Sequence, residues 1–436
     1  MSPERRWPWW VSWMLIPTAA LGALLLLVFL FSPSPLQRYE EAVAELRAQG
    51  FAVTPAELAR PEPAAEENGA ALLDAAVAKM REIAGSDRSA WTAPGPWRGD
   101  LEAGWALTAD EATLEQGRAF LAQLAPALAD VEAASRRQVI QWPPPASIAA
   151  PAPQISTLQT VQQVLSLGID VGRTPEERLE SAACSLRLGR RVHATILIEG
   201  VVALAIRAGT ITALRPHIEC GHVPAVLARA ALDAELREPV TPTLGSMARM
   251  EIATWTPVYG DDLRGVLPKS TKQMMRASGV TGTLQNTFAK YLMGTPADLL
   301  RDLRDAARTP EDSYIRGRVH VEELTGRMRR LSKLHVGWLA QMERNLCRFD
   351  ATMRLARIAL AVTEQRETSG RWPASLDEVR DMFPGGVPLD PFTEAPFEYE
   401  VRADGARIAS AGHFPDEPKR LESEIVEDGL VWNVLR

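Results

Sequence analysis

The hydrophobic pattern opens on one unbroken apolar run and then changes character. From Val11 to Phe31, 21 residues pass without a charged side chain. As a helix at about 1.5 Å per residue the run spans roughly 31 Å, close to the hydrocarbon thickness of a bilayer. A helix satisfies its own backbone in lipid, so the run predicts a single N-terminal transmembrane helix. Pro17 falls in its second turn, where a bend costs little once neighbours or water take the freed carbonyl. Trp7, Trp9, Trp10 and Trp13 gather at its leading edge, where aromatic rings settle at headgroup level. Arg5 and Arg6 precede the run, partly offset by Glu4, whereas only Arg38 follows before Glu40 and Glu41. That bias predicts a cytoplasmic N-terminus and an extracytoplasmic, periplasm-facing body. The run outlasts the core of a typical signal peptide and no small-x-small site follows it, which favours a retained anchor over a cleaved leader. Ser32-Pro33-Ser34-Pro35 gives a stiff exit, closing a first segment at 1–35.

Past this hinge, apolar residues step at helical intervals. Leu36 to Ala48 reads as a helix ended by Gly50, and Thr54-Pro55-x-Glu57 as a capped short turn. A Pro/Glu-rich gap over 60–67 leads to an alanine-rich helix at Ala70–Ile83, then to an irregular loop, Gly85–Gly104, holding Trp91 and Trp97. Thr108 or Asp110 caps a helix carrying Leu114, Phe120, Leu121, Leu124 and Leu128 towards Val131. The run from Trp142-Pro143-Pro144-Pro145 to Pro153 predicts a stiff spacer over 141–154, with a polyproline ligand as the alternative. Leu158, Val161, Val164, Leu165 and Leu167 then form a stripe, and Thr174-Pro175 opens another helix. Ala194–Ala208, interrupted by Glu199, Gly200 and Arg207, is too short for a second span and reads as a core helix. Helical hairpins stacked side by side are thus predicted over 36–235, without a 34-residue repeat consensus, within a helical region at 36–140 and a helical body at 155–345. Within them, 240–317 lacks clean periodicity and predicts an irregular excursion. From Val319 to Thr368 the stripe Leu324, Met328, Leu331, Leu334, Trp338, Met342, Leu346, Phe349 and Met353 predicts one long helix, or two joined near Gly337. The fold class is mainly α.

A net charge of -7 with acids and bases interspersed leaves no basic stripe, which argues against nucleic-acid binding. Three cysteines make no disulfide framework. Cys184 with Cys220 is the pairing an oxidising compartment would favour, and three buried free thiols are the simpler reading.

The final segment, 346–436, changes pattern after the long helix. Gly370 ends the helix, Ser375 is placed to cap a short helix over Leu376–Phe383, and Pro384-Gly385-Gly386 breaks it. Two alternating runs, Phe397–Val401 and Arg407–Ser410, flank Asp404-Gly405 as a hairpin. Gly370, Arg371, Trp372, Pro373, Ser375, Leu376 and Asp377, then Asp390, Pro391, Phe392, Pro396, Phe397 and Tyr399, then Ser410 and Gly412, together resemble the globular head of the major pseudopilin of type II secretion systems. The resemblance implies a small α+β module joined to secretion or envelope assemblies. It also implies a calcium site, for which Asp404, Asp416 and Glu417 lie in comparable territory. The whole arrangement is similar to membrane-anchored helical proteins of planctomycete-type bacteria, which carry no activity across. Unlike a pseudopilin, this chain sets its membrane helix far upstream of the head and has no Phe-Thr-Leu-x-Glu processing signal.

Candidate chemistry is sparse. His217, Glu219, Cys220 and His222 are the densest group of metal-capable side chains, a mixture zinc accepts, although their spacing also suits a solvated helix end. Glu199, set among apolar residues, is a buried-acid candidate that needs Arg190, Arg191, Arg207 or a capping backbone group as partner. Nucleophile elbows, phosphate loops and dinucleotide fingerprints are missing from the sequence. The expectation is an extracytoplasmic scaffold or interaction component partnered by the membrane and other envelope proteins, without a required cofactor. The alternative is a periplasmic hydrolase or metal-dependent enzyme seated in 170–345.

Overall fold

The computed structural model describes residues 33–58, 61–84, 105–144, 153–237, 243–264, 266, 295–328, 338–417 and 430–435. The predicted membrane helix Val11–Phe31 and the loop tryptophans Trp91 and Trp97 lie outside the described residues.

Local sequence chemistry sets the helix starts. Ser34 opens α1 (Pro35–Ala48) with a capping box: it accepts from the Gln37 amide at 3.1 Å, and Gln37 Oε1 accepts from the Ser34 amide at 2.8 Å. A single turn, α2 (Pro55–Leu58), leads to α3 (Ala70–Ala84). Asp110 accepts from the Thr113 amide at 2.8 Å to cap α4 (Glu111–Ser135). Then follow α5 (Pro153–Val171), α6 (Pro175–Arg191, capped by Thr174), α7 (Leu197–Glu219) and α8 (Ala225–Arg237). Thr243 caps α9 (Leu244–Leu263), and a Thr295–Asp298 capping box opens α10 (Pro296–Ala306). Ser313 caps α11 (Tyr314–Arg327), and α12 (Trp338–Ser369) is the longest described helix.

Among the described residues the helices share three large apolar cores and two smaller clusters, and α7 runs through the three large ones. Val202 and Ile206 of α7 join Leu73, Val77, Leu124, Val131 and Leu158 of α3 to α5. Leu204 joins Tyr39 and Leu46 of α1 and the buried faces of α9, α10 and α11. Ile211, Leu214 and Ile218 meet α6, α8, α12 and the C-terminal module. Among the described residues α7 is the one helix long and apolar enough to cross a membrane. Here it is the central core helix, as its interrupted pattern predicts.

Several expectations are corrected. The described parts of the 240–317 stretch form α9, α10 and the start of α11 instead of an irregular excursion, and 267–294 lie outside the described residues. Periodicity fails there because α9 is buried on most sides, from Met247 and Ala248 to Val258 and Tyr259, and leaves no polar stripe; Pro257 sits inside it. The start of the 141–154 spacer belongs to the body. Ile140 pairs with Val192 in a parallel bridge, Asn68 Oδ1 accepts from the Gln141 amide at 3.0 Å, and buried Trp142 donates from Nε1 to Asp74 at 3.1 Å. Among the described residues 319–368 falls in α11 and α12, and the expected join near Gly337 lies outside them. Cys184, Cys220 and Cys347 are all free, and Cys220 is exposed, so neither the pairing nor three buried thiols holds. Burial pushes the Cys184 thiol up to about 11 and leaves it unreactive.

After Gly370, at φ 75°, the chain forms a 3-10 turn (Leu376–Met382) and an antiparallel sheet of β1 (Glu398–Arg402), β2 (Gly405–Ala409) and β3 (Val431–Leu435). Central β2 pairs with β1 through Arg402↔Gly405 to Glu398↔Ala409, which confirms the hairpin at Asp404-Gly405. Ser375 makes no side-chain cap; Glu378 instead accepts from the Ala374 amide at 3.0 Å.

The module's signature residues are its clamps. Asp390, 1% exposed, accepts from the amides of Phe392 (3.0 Å) and Ala411 (2.7 Å) and from the Ser410 hydroxyl (2.9 Å). Tyr399 donates its hydroxyl to the Pro373 carbonyl at 2.7 Å, Arg366 stacks over Trp372 at 5.0 Å, and Phe392 meets Phe414 at 5.2 Å. Pro391 begins the turn that ends at the Leu389↔Pro396 bridge. Replacing Asp390 by alanine strands two amides and a hydroxyl in the interior, so D390A is expected to lose about 3 kcal/mol in urea unfolding. An unchanged midpoint would show that the clamp contributes nothing.

Candidate functional site

Glu199 and the His217–His222 group stand at opposite ends of one helix; within the group the rings of His217 and His222 lie 6.1 Å apart. Glu199, 2% exposed, takes the capping role: Oε2 accepts from the Thr195 amide at 2.7 Å and the Ile196 amide at 3.3 Å, and Oε1 accepts from Gln154 at 2.8 Å. It thereby satisfies the free donors at the start of α7, and none of its hydrogen bonds is to an arginine. His217 is fully buried 3.4 Å from Asp170 Oδ1, with the Arg178 guanidinium 3.2 Å from Nδ1. Glu219 pairs with Arg215 at 2.8 Å and accepts from the Asn433 amide at 3.2 Å, fastening the end of α7 to β3. Cys220 and His222 are exposed. Among the described residues no three His, Cys, Asp or Glu side chains are placed to hold a metal ion. Of the two readings of this group, the helix-end one fits these contacts. Asp416 and Glu417 are likewise committed. Arg318 bridges both oxygens of Asp416 at 3.0 Å, and Arg344 pairs with Glu417 while lying over Phe414. Guanidinium groups fill the place the calcium expectation gave to a metal ion.

A different place gathers unsatisfied chemistry. A cleft of about 720 Å³ lies between the start of α9, the first turns of α11, one face of α12 and the module loop Leu389–Glu394. Glu343, Leu346, Asp350 and Arg354 face it from α12, spaced so that they share a side of the helix. Arg354 pairs with Asp350 at 2.7 Å and donates to the Leu389 carbonyl at 2.8 Å, which fixes the module loop on α12. Ser313 caps α11 by accepting from the Arg316 amide at 3.2 Å and donates its hydroxyl to Glu394. Glu394 is the described non-glycine residue with positive φ, at 54°; a left-handed turn of that kind costs roughly 1 kcal/mol and is held by the Asp390 carbonyl, which accepts its amide at 2.7 Å.

Glu343 is the unusual member. It is 3% exposed and, among the described residues, has no hydrogen-bond or ion-pair partner. Burial pushes its carboxyl up to about 8. Gly317 of α11 makes the room, since a Cβ there would stand 2.5 Å from Glu343 Oε1. Asp350 is also raised by burial, while Arg354 pulls it back, and burial lifts the Tyr314 hydroxyl far above its ordinary value. A carboxyl of this kind holds a proton at neutral pH and gives it up when a positive charge arrives. Sequence reading passes over it because Glu343 adjoins Met342 on an otherwise apolar stripe, with only helical phase to tell flank from core.

No family model matches the chain, and no curated protein or solved structure matches it either.

Glutamate ordinarily titrates near 4.5 and Glu343 near 8, so between these values the folded chain keeps a proton that the unfolded chain has released. Stability therefore falls as pH rises from about 4.5 to about 8, by at most roughly 4 kcal/mol from this group. Glu251, pushed up by burial to about 7, adds a loss in the same direction, so the comparison must be with Glu343→Gln. Urea unfolding at pH 5 and pH 8 should show E343Q losing less stability than the parent, and equal losses would refute the assignment.

Proposed function

We propose that this chain is a membrane-anchored extracytoplasmic scaffold that presents its helical body and C-terminal module to other envelope proteins. The observation carrying this reading is the continuous core that Leu179, Leu186, Ile211, Leu232, Met353 and Leu360 of the body form with Val379, Phe397, Ile408 and Trp432 of the module. A module sharing a core with its support moves with it, so partner surfaces keep fixed positions. Arg229 strengthens the joint, pairing with Glu364 at 2.7 Å and donating to the Met382 carbonyl at 3.2 Å. Anchoring rests on the uncharged run Val11–Phe31, and orientation on Arg5 and Arg6. The pseudopilin-like signature of the module supports partners in an envelope or secretion assembly. A hydrolase built on Glu199 and the His217–His222 group is disfavoured, because Glu199 caps the start of α7 while His217 is held by Asp170 near its end.

Carbonate washing should leave the full chain in the membrane pellet, and protease added on the extracytoplasmic side should reach the body. A photo-crosslinker placed at exposed Val401 of β1 or Val226 of α8 should give discrete protein adducts in intact cells. Release by carbonate would overturn the anchor, and the absence of discrete adducts at both positions would overturn the scaffold.

A further inference from the structure

We propose that the cleft between α11, α12 and the module loop binds an organic cation of the alkylammonium or alkylguanidinium class, seated on Glu343. This goes beyond the scaffold reading and does not depend on it.

The charge pattern inside the cleft selects the sign of the ligand. Its walls carry five carboxyl groups, on Glu311, Asp312, Glu343, Asp350 and Glu394, against two guanidinium groups, on Arg316 and Arg354. Both guanidinium groups are spoken for, Arg316 by Asp312 at 2.5 Å and Arg354 by Asp350 at 2.7 Å. Glu311 accepts from the Thr243 hydroxyl at 2.7 Å, and Glu394 accepts from Ser313. Glu343 alone among these acids is both buried and without a described partner. An ionised carboxylate in such a place is costly unless a positive charge or hydrogen-bond donors meet it. The cleft is open to a ligand that supplies both.

The kind of cation follows from geometry. Calcium or magnesium would need several oxygen ligands converging on one point, and no such convergence exists among the described residues. One carboxylate suits a group that brings its own N–H donors, an ammonium or a guanidinium. Leu244, Leu346 and Pro391 provide apolar wall for an alkyl stem leading down to the acid. A volume of about 720 Å³ admits such a stem with room to spare. The same chemistry could arrive as a free diamine or as a lysine or arginine side chain of a partner.

Binding must be coupled to proton release. The titratable and charged groups that line the cleft with Glu343 are Asp350 and Arg354 on α12, Tyr314 and Arg316 on α11, Glu311 and Asp312 on the preceding turn, and Glu394 on the module loop. The charge of Glu343 acts on Tyr314 and Cys347. Since burial holds Glu343 protonated at neutral pH, the arriving cation displaces that proton to solvent.

Isothermal titration of the full chain in detergent tests this with cadaverine, agmatine and a terminally blocked lysine peptide, against 1-pentanol and glutarate as controls. At pH 7 at least one cation should bind with heat that differs between phosphate and Tris, reporting a released proton, while pentanol and glutarate should not bind. Glu343→Gln should weaken that cation by roughly thirtyfold or more. Binding by the free amines would identify a small-molecule source, and binding by the peptide alone a partner side chain; either supports the site. If E343Q does not fold, the buffer-dependent heat of the parent chain and the silence of pentanol carry the test. No binding by any cation at millimolar concentration, equal binding by pentanol, or undiminished binding by a folded E343Q would overturn the proposal. None of these outcomes bears on membrane anchoring or crosslinking.

Discussion

Burial of α7 on all but one narrow face, that of Ile198, Ala205 and Thr212, is the constraint from which the rest of the architecture follows. A helix of this composition has two stable environments, lipid or a shell of other helices, and here helices cover all but the face of Ile198, Ala205 and Thr212. Enclosure of an apolar helix is favourable by the area withdrawn from water, but it also traps every polar side chain the helix carries. Glu199 at one end is absorbed by the backbone donors it caps. His217 at the other end is held by Asp170 and Arg178. Arg207, 2% exposed in the middle, is the most demanding of the three. It donates to the Glu235 carbonyl at 3.4 Å, and Glu235 in turn pairs with Arg190 at 3.3 Å, so α6, α7 and α8 close round one buried cation. Gly189 makes that closure possible, because a Cβ there would stand 2.7 Å from Arg207 Cγ and 2.8 Å from the Ala203 carbonyl.

The influence of that buried cation extends to α12. The charge of Arg207 helps hold Asp350 in its ionised form against burial, alongside Arg354. Asp350 keeps Arg354 in place, and Arg354 ties down Leu389 at the mouth of the cleft. Central helix, long helix and module are thus linked by charges as well as by the apolar core. Such a chain of buried ionic contacts contributes little net stability compared with well-packed apolar residues, yet breaking one member leaves the others uncompensated. Its consequence here is positional: the module loop is fixed relative to α7 through groups that tolerate only one arrangement.

How much of this was legible depended on whether burial was one-sided. Helices with one wet face, such as α1, α4 and α6, announced themselves by period; Thr174 was identified as a cap from sequence alone, and Asp110 as one of two candidates beside Thr108. Helix α9, buried on most sides, did not, because the polar stripe that reveals helical period is missing, and Pro257 misleads where its neighbours supply the packing. In the module, residue spacing and turn chemistry carried the hairpin at Asp404-Gly405, but β3 depends on a distant pairing with β2 that no local pattern encodes. The candidate chemistry was the least legible. Glu199 and His217 stood out for being polar in apolar surroundings, a signal that structural caps and core ion pairs give equally well. Glu343 gave no such signal, since its isolation is produced by α11 and Gly317, which approach it only in the folded chain.

Two buried carboxyl groups show why isolation, and not burial, separates a site from a support. Asp390 and Glu343 lie within the same half of the molecule, both withdrawn from water and both pushed upward by that withdrawal. Around Asp390 the chain has placed two amides and a hydroxyl, which pull against the effect of burial and use its acceptor capacity to hold the module together. Around Glu343 none of the described residues does so, although serine, threonine and arginine side chains stand in the same cleft and bond to its other acids. An apolar residue at this position would pack without that electrostatic cost. A carboxyl group kept with its acceptors unused, beside an open volume and opposite a glycine that admits it, retains its bonding capacity for something that arrives from outside the chain.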